Sequence, residues 1–147
     1  MLNVVKSRFF SSGKKLIVVL FLLTEISASA QWVPTSAPIG GTVNALVISG
    51  SNIFAGTQYN GVFLSTNNGT NWSVKGLTGM EITSFAVSGS NIFAGANYSG
   101  VYLSTNNGSN WTAVNTGLSG QSVRAVAVSG TNIFAGTHNG GVFLSTN

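Results

Sequence analysis

The chain has 147 residues, a formal net charge of +4 and no cysteine. Without cysteine it has neither a disulfide framework nor a thiolate metal site. Its positive charge is concentrated at the start, because Lys75, Glu81 and Arg124 are the only charged side chains after residue 30. That is too few for the basic patch with which proteins bind nucleic acid.

Residues 1–30 have the pattern of a secretory signal peptide, in which a basic start, an apolar run and a small-residue cleavage site follow one another. These parts are Lys6, Arg8, Lys14 and Lys15, then Leu16 to Leu23, then Ala28-Ser29-Ala30. The apolar run is too short to cross about 30 Å of hydrocarbon as a helix. We therefore expect export to the cell surface, the periplasm or the medium, with no membrane attachment after cleavage; an uncleaved anchor is the alternative.

Residues 31–147 repeat themselves. The segments SGSNIFAGTQYNGVFLSTN (49–67), SGSNIFAGANYSGVYLSTN (88–106) and SGTNIFAGTHNGGVFLSTN (129–147) are nearly the same, and Trp32, Trp72 and Trp111 follow the same spacing. The tryptophans divide the chain into units 32–71, 72–110 and 111–147. A period of about 40 residues indicates stacked supersecondary units.

Each period contains four short apolar runs separated by turn residues, which predicts four strands. The first set is Val43–Ile48, Ile53–Thr57, Val62–Thr66 and Trp72–Lys75, with turns at Ser49-Gly50-Ser51, Tyr59-Asn60-Gly61 and Asn67-Asn68-Gly69. Runs such as IFAG do not alternate with polar residues, so both faces of each small sheet should be covered by its neighbours.

Four strands in about 40 residues is typical of a β-propeller blade. The prediction is an all-β chain of about three blades, each with four antiparallel strands, forming a partial propeller. A helical solenoid fits poorly because Gly or Asn interrupts the apolar runs. A parallel β-helix would be expected to repeat over fewer residues.

The turn after the third strand carries its own chemistry. Asn68-Gly69 is a preferred hairpin pair, because glycine adopts positive φ freely and asparagine does so more readily than most residues. Asn67 can accept backbone N–H bonds as an Asx-turn, and Ser65 and Asn71 are placed to bond across the loop. Trp72 is expected to bury its ring while its N–H finds an acceptor.

This turn resembles the Asp-box, or BNR repeat, of sialidase-like and photosystem II assembly factor-like propellers. The matching positions are Ser65, Asn67, Gly69 and Trp72, then Ser104, Asn106, Gly108 and Trp111; a third copy starts at Ser145. Asn67 and Asn106 stand where the family has Asp, and Asn71 and Asn110 where it has Ser or Thr. The resemblance implies a structural turn that is remote from any catalytic site.

The residues that this family uses for catalysis are missing from residues 31–147. Sialidases use an arginine triad, a tyrosine with a glutamate partner and an acidic proton donor, whereas residues 31–147 contain one Arg, one Glu and no Asp. Glu81 alone cannot supply the carboxylate pair of a glycosidase. We therefore expect no enzyme activity, no catalytic residues, no metal and no cofactor.

Each unit that begins at a tryptophan starts with the fourth strand of a blade rather than with the first. Trp32 stands where a fourth strand belongs, and Asn147 follows a third strand. Three units do not make a ring of the usual four to eight blades. One interpretation, which we favour, is a fragment of a longer propeller; the other is assembly of identical chains, for example two copies in a six-bladed ring. An isolated chain should associate or dissolve poorly, because it would expose sheet edges and blade faces.

A ligand face is predicted where the repeats differ from one another. The turn between the second and third strands and the connection after each tryptophan should open on the same side of the propeller. The candidate residues are Tyr59, Tyr98 and His138 in these turns, and Asn44, Thr83 and Arg124 at the start of the inner strands. Each also has a purely structural interpretation: shielding of the turn by the tyrosines, a surface histidine, and carbonyl bonding by Arg124.

These observations lead to three functional hypotheses. The first is an exported, non-catalytic binding or scaffold surface for a protein or polysaccharide. The second is a carbohydrate-binding lectin that stacks sugars on Tyr59 and Tyr98. The third is the remnant of a sialidase-like glycoside hydrolase.

Overall fold

The computed structural model describes residues 31–36, 38, 41–118 and 120–146. The predicted signal peptide lies outside these residues. By its internal contacts the chain divides into two units, Met1–Trp32 and Val33–Asn147, and all the strands below belong to the second.

In the described residues, eleven strands form three antiparallel sheets of four, four and three strands. The first sheet contains β1 (Val43–Ser49), β2 (Asn52–Thr57), β3 (Val62–Ser65) and β4 (Ser73–Val74). The second contains β5 (Ile82–Ser88), β6 (Asn91–Ala96), β7 (Gly100–Ser104) and β8 (Thr112–Ala113). The third contains β9 (Val123–Ser129), β10 (Asn132–Thr137) and β11 (Val142–Ser145).

Each sheet is a meander, in which every strand pairs with the next along the chain. The register repeats from sheet to sheet: Phe54 is opposite Leu64, Phe93 opposite Leu103, and Phe134 opposite Leu144. The predicted strands are therefore present, with ends that differ by a residue or two. The predicted run Trp72–Lys75 is strand only at Ser73–Val74.

The sheets pack face to face through two apolar seams. We call them the first seam, between the first and second sheets, and the second seam, between the second and third. Phe54, Val62 and Leu64 of the first sheet pack with Ile82, Ile92 and Ala94 of the second. Phe93 and Val101 of the second sheet pack with Val123, Val126 and Ala135 of the third.

The expectation that both faces of each sheet are covered by neighbouring sheets is met in the second sheet. Within the described residues, the first and third sheets each have a neighbouring sheet on one side. Leu46 and Ile48 of the first sheet are therefore exposed, as are Val142 and Leu144 of the third. Among residues 31–36, 38, 41–118 and 120–146 there is no helix of the length and apolarity needed to cross a membrane.

Candidate functional site

The repeated turn between the third and fourth strands is closed by a buried serine. The N–H of Gly69 donates to Ser65 Oγ at 2.9 Å, and Ser65 Oγ donates to Asn67 Oδ1 at 3.0 Å. The N–H of Asn71 completes the turn by donating to Asn67 Oδ1 at 2.9 Å. Asn68 and Gly69 have φ of 53° and 81°, the left-handed conformation that the Asn-Gly pair favours.

The second sheet has the same turn with the same partners. The N–H of Gly108 donates to Ser104 Oγ at 2.8 Å, and the N–H of Asn110 donates to Asn106 Oδ1 at 2.9 Å. The asparagines at the usual aspartate position thus act as acceptors without a charge. Asn71 and Asn110 take part through their backbone N–H groups.

The tryptophan that follows the turn of the second sheet packs against the first sheet. Trp111 lies against Gly76, and its Nε1–H donates to the carbonyl of Lys75 at 2.8 Å. This bond ties the second sheet to the end of the first. Trp72 Nε1 is buried and has no hydrogen-bond partner within the part of the chain that the structure describes, so the acceptor expected for it is not found there.

We expect Ser104→Ala to lower the free energy of unfolding by about 1–3 kcal/mol, because it leaves the buried Gly108 N–H without its acceptor. Urea unfolding measures this change. Ser109→Ala removes an exposed hydroxyl from the same turn and serves as the control, with an expected effect within about 0.5 kcal/mol. Equal losses in the two variants would contradict the structural role given to Ser104.

The opposite end of the sheets, which we call the loop end, gathers the turns between second and third strands with the connections between sheets. The N–H of Gly61 donates to Met80 O at 3.3 Å, and the N–H of Gly79 donates to Tyr59 O at 3.1 Å. In the next sheet, the N–H of Gly100 donates to Gln121 O at 3.2 Å. The two kinds of variable loop therefore lie side by side, as the repeat pattern predicts.

The six candidate ligand residues all belong to the loop end, but they have different surroundings. Tyr59, Tyr98, His138 and Arg124 are exposed. Asn44 Nδ2 donates to Ile82 O at 3.2 Å, and Thr83 Oγ1 donates to Val123 O at 2.6 Å. Asn44 and Thr83 thus tie the first strand of one sheet to the first strand of the next, which is a structural role.

Glu81 has a partner that the sequence did not reveal. Asn97 Nδ2 donates to Glu81 Oε2 at 2.7 Å, and the N–H of Asn97 donates to Glu81 O at 2.9 Å. The backbone part of this contact recurs in the third sheet, where the N–H of His138, which is equivalent to Asn97, donates to Ser122 O at 2.9 Å. Within the described residues, no group of three or more His, Cys, Asp and Glu residues could hold a metal ion.

Two cavities accompany the sheets. One, of about 640 Å³, lies beside the first sheet and includes Phe63 and Trp72 in its wall. The other, of about 790 Å³, lies in the second seam and is lined by Phe93, Val101 and Leu103. The residues equivalent to these three in the first seam, Phe54, Val62 and Leu64, pack with Trp111.

No protein-family model matches the sequence, and no curated protein matches it. Solved structures do match. YCF48 from Cyanidioschyzon merolae superposes with a TM-score of 0.62 at 13% identity, over 73% of this chain and 34% of that one. An ancestral GH74 enzyme gives 0.63 at 25% identity, over 82% and 19%. The computationally designed protein Ika4 gives 0.57 at 18% identity, over 71% and 65%.

The chain is built of β-propeller blades. Its sheets of four, four and three strands match propeller blades, and together they make a partial propeller. The chain spans from about a fifth to about two thirds of the length of the three structures named above. Because both YCF48 and GH74 enzymes have this fold, the fold is compatible with binding proteins and with enzymes.

Proposed function

We propose that this chain is an exported, non-catalytic propeller-blade protein whose loop end binds a protein or a polysaccharide outside the cell. The proposal rests on a difference between the two ends of the sheets. The turns at one end keep the same bonding residues and the same bonds in consecutive sheets. The loop end instead holds Tyr59, Tyr98 and His138 at equivalent or adjacent turn positions, all of them exposed. Variation confined to one rim of a repeat protein is typical of a binding face.

The fold comparison supports a binding role. One of the matched structures is YCF48 bound to D1 peptide, which superposes with a TM-score of 0.60 at 15% identity. A propeller of this kind can therefore hold a peptide, and we extend that capacity to this chain. The turn bonds around Ser65 and Ser104 support assignment of the turn to the Asp-box type.

We expect no catalysis, because carboxylate side chains are scarce. Glu81 is the only carboxylate side chain after residue 30, and its Oε2 accepts a bond from Asn97. Acid–base hydrolysis of glycosides needs two carboxylates that flank the bond to be broken. We therefore expect the purified chain to release no product from sialosides or β-glucans; turnover that is lost in Arg124→Ala would restore the hydrolase hypothesis.

Site-specific photocrosslinking tests the binding face. A photoreactive phenylalanine analogue is placed at Tyr59 or Tyr98, and in control variants at the exposed Thr70 or Ser109 at the opposite end. The exported chain is then illuminated in its own cell culture. We expect crosslinks to the same partner from positions 59 and 98 and none from positions 70 and 109. Equal crosslinking from both ends would refute the assignment.

A lectin is the second candidate, favoured by the exposure of two aromatic rings on one rim. Tyr59 and Tyr98 are both exposed, and a tyrosine ring can stack on the apolar face of a sugar. We expect the double variant Tyr59→Ala, Tyr98→Ala to lose at least about tenfold in affinity on a glycan array, since about 1.4 kcal/mol corresponds to a factor of ten. Thr70→Ala, Ser109→Ala is the control. An array with no bound glycan would exclude the lectin.

A further inference from the structure

Glu81 lies at the loop end, between the turn of the first sheet and the turn of the second. On the side of the first sheet, the N–H of Gly79 donates to Tyr59 O at 3.1 Å, and the N–H of Gly61 donates to Met80 O at 3.3 Å. These bonds hold the turn that contains Tyr59 against the two residues that precede Glu81.

The turn of the second sheet contacts Glu81 from the other side. Asn97 donates to Glu81 twice, from Nδ2 to Oε2 at 2.7 Å and from its backbone N–H to the main-chain oxygen at 2.9 Å. Tyr98 is the next residue in this turn. The carboxylate is therefore flanked by two turns that each carry an exposed tyrosine, Tyr59 being 65% and Tyr98 74% exposed.

The charge of Glu81 is particular to the second sheet. Thr42 and Ser122 accept the same main-chain bond from the following turn as Glu81 does, so the three positions are equivalent. Because the main-chain oxygen makes this bond in all three sheets, the contact between connection and turn does not need a carboxylate. The side chain of Glu81 is thus available for another purpose.

The turn of the second sheet also has a conformation of its own. In the first and third sheets a threonine hydroxyl, that of Thr57 or Thr137, donates to a glycine carbonyl at the end of the turn. Ala96 has that position in the second sheet and lacks the hydroxyl. Tyr98 there has φ of 57°, which is uncommon for a residue with a side chain. Such backbone conformations are concentrated at functional positions, ligand-binding ones among them.

Glu81 has no cationic partner within the part of the chain that the structure describes. Lys75 and Arg124 are the only Lys and Arg residues after residue 30, and neither forms an ion pair with this half-buried carboxylate. The side-chain bond that it accepts comes from a neutral amide. A carboxylate has about four acceptor positions on its two oxygens, and an opposite charge within about 4–6 Å stabilises its ionised form.

We propose that Glu81, Tyr59 and Tyr98 form a site for a lysine or arginine side chain of a partner protein. The cationic group donates to the Glu81 carboxylate and lies against the tyrosine rings, whose faces attract cations. Stacked sheets are about 10 Å apart, so the two tyrosine turns are spaced to flank one such side chain. The inference rests on the proposed function and specifies a basic segment of protein as the ligand.

The charge on the site decides between classes of ligand. The carboxylate repels phosphates and acidic polymers. A neutral glycan could stack on the tyrosine rings, but it would leave the charge of Glu81 uncompensated. A cationic side chain uses both the rings and the charge, which is why we favour it over a sugar.

Saturation-transfer difference NMR with two short peptides tests the site on the exported chain. The probe is N-acetyl-Gly-Arg-Gly-amide, and the control peptide has citrulline, a neutral isostere of arginine, in its place. We expect saturation of the arginine side-chain signals, with the citrulline peptide binding at least about tenfold more weakly, because charged hydrogen bonds are the stronger ones. No binding of the arginine peptide, or equal binding of both peptides, would overturn the proposal.

Variants assign the binding to the three residues. Glu81→Gln keeps an oxygen for Asn97 Nδ2 but removes the charge, so it should weaken the arginine peptide at least about tenfold and leave the citrulline peptide unchanged. Tyr59→Leu and Tyr98→Leu should each weaken the arginine peptide about two- to fivefold. Ser109→Ala, at the opposite end, is the control. Arginine binding that survives Glu81→Gln would refute the site, and the citrulline peptide reports separately on any damage to the fold.

Photocrosslinking separates failure of this inference from failure of the proposed function. With the photoreactive residue at position 59, the partner captured in cell culture should be crosslinked at least about fivefold less in Glu81→Gln. Full crosslinking in Glu81→Gln would refute the cation site and leave the binding face intact, whereas no crosslinking in either background would refute both. Glycan binding that needs the tyrosines but not Glu81 would replace the cation site by the lectin.

Discussion

Phe54→Ala is expected to lower the free energy of unfolding by about 3–5 kcal/mol, the usual range for removing a buried aromatic ring from a core. Phe54 is fully buried. Its ring lies directly beneath the turn of the second sheet, since a Cβ atom on Gly108 would be 2.8 Å from Cε1 of Phe54. The truncation therefore loosens the first seam and the turn together.

The matched control for this change is Phe134→Ala. Phe134 has the same neighbours in sequence and the same strand register, but it is only partly buried, because none of the described residues forms a sheet on its side of the third sheet. We expect a loss of no more than about 2 kcal/mol. Urea unfolding measures both losses. Equal losses at the two positions would show that the first seam is not the stabilising contact we describe.

Gly61→Ala should lower the free energy of unfolding by about 2–5 kcal/mol, for two reasons that add. Gly61 has φ of 71°, where an alanine costs about 1–2 kcal/mol. Its new Cβ atom would also overlap the main-chain carbonyl oxygens of Leu77 and Gly76, and overpacking of this kind costs about 1–3 kcal/mol more. The loop end would have to open to admit the methyl group.

Gly79→Ala separates these two contributions. Gly79 has φ of 82°, but a Cβ atom there would meet nothing within 4 Å. Gly79→Ala should therefore lower the free energy of unfolding only by the backbone contribution, about 1–2 kcal/mol. Thermal unfolding of both variants measures the difference, and a Gly61 variant as stable as the Gly79 variant would contradict the packing of the two loops.

The fold could be predicted because the same pattern of apolar runs and turn residues occurs three times in the sequence. A single apolar run such as IFAG is ambiguous, but its return with the same turn residues fixes the strand order and the register. The bonds of Ser65 and Asn67 were also predictable, since Asx-turns and Asn-Gly hairpins depend on residues that are adjacent in the chain.

The contacts between sheets were harder to predict, because they join residues about 40 positions apart whose pairing depends on how the sheets stack. The sequence does not distinguish Gly56, where an added Cβ atom would lie 2.5 Å from Cγ2 of Ile82, from Gly79, where only the positive φ favours glycine. The roles of Asn44 and Thr83 were missed for the same reason. They vary between repeats, which suggested a ligand face, yet both donate to the next sheet. The pairing of Glu81 with Asn97 likewise required coordinates.

The way in which the sheets pack also determines how a chain of this kind can gain or lose units. In the described residues each sheet packs on its immediate neighbours, and the two seams use equivalent glycines, Gly56 and Gly95, and equivalent first-strand positions. No central core has to be rebuilt when the number of sheets changes. Duplication or loss of one whole unit therefore leaves a set of matching surfaces at the junction, and proteins of this design can grow or shrink in steps of a single blade.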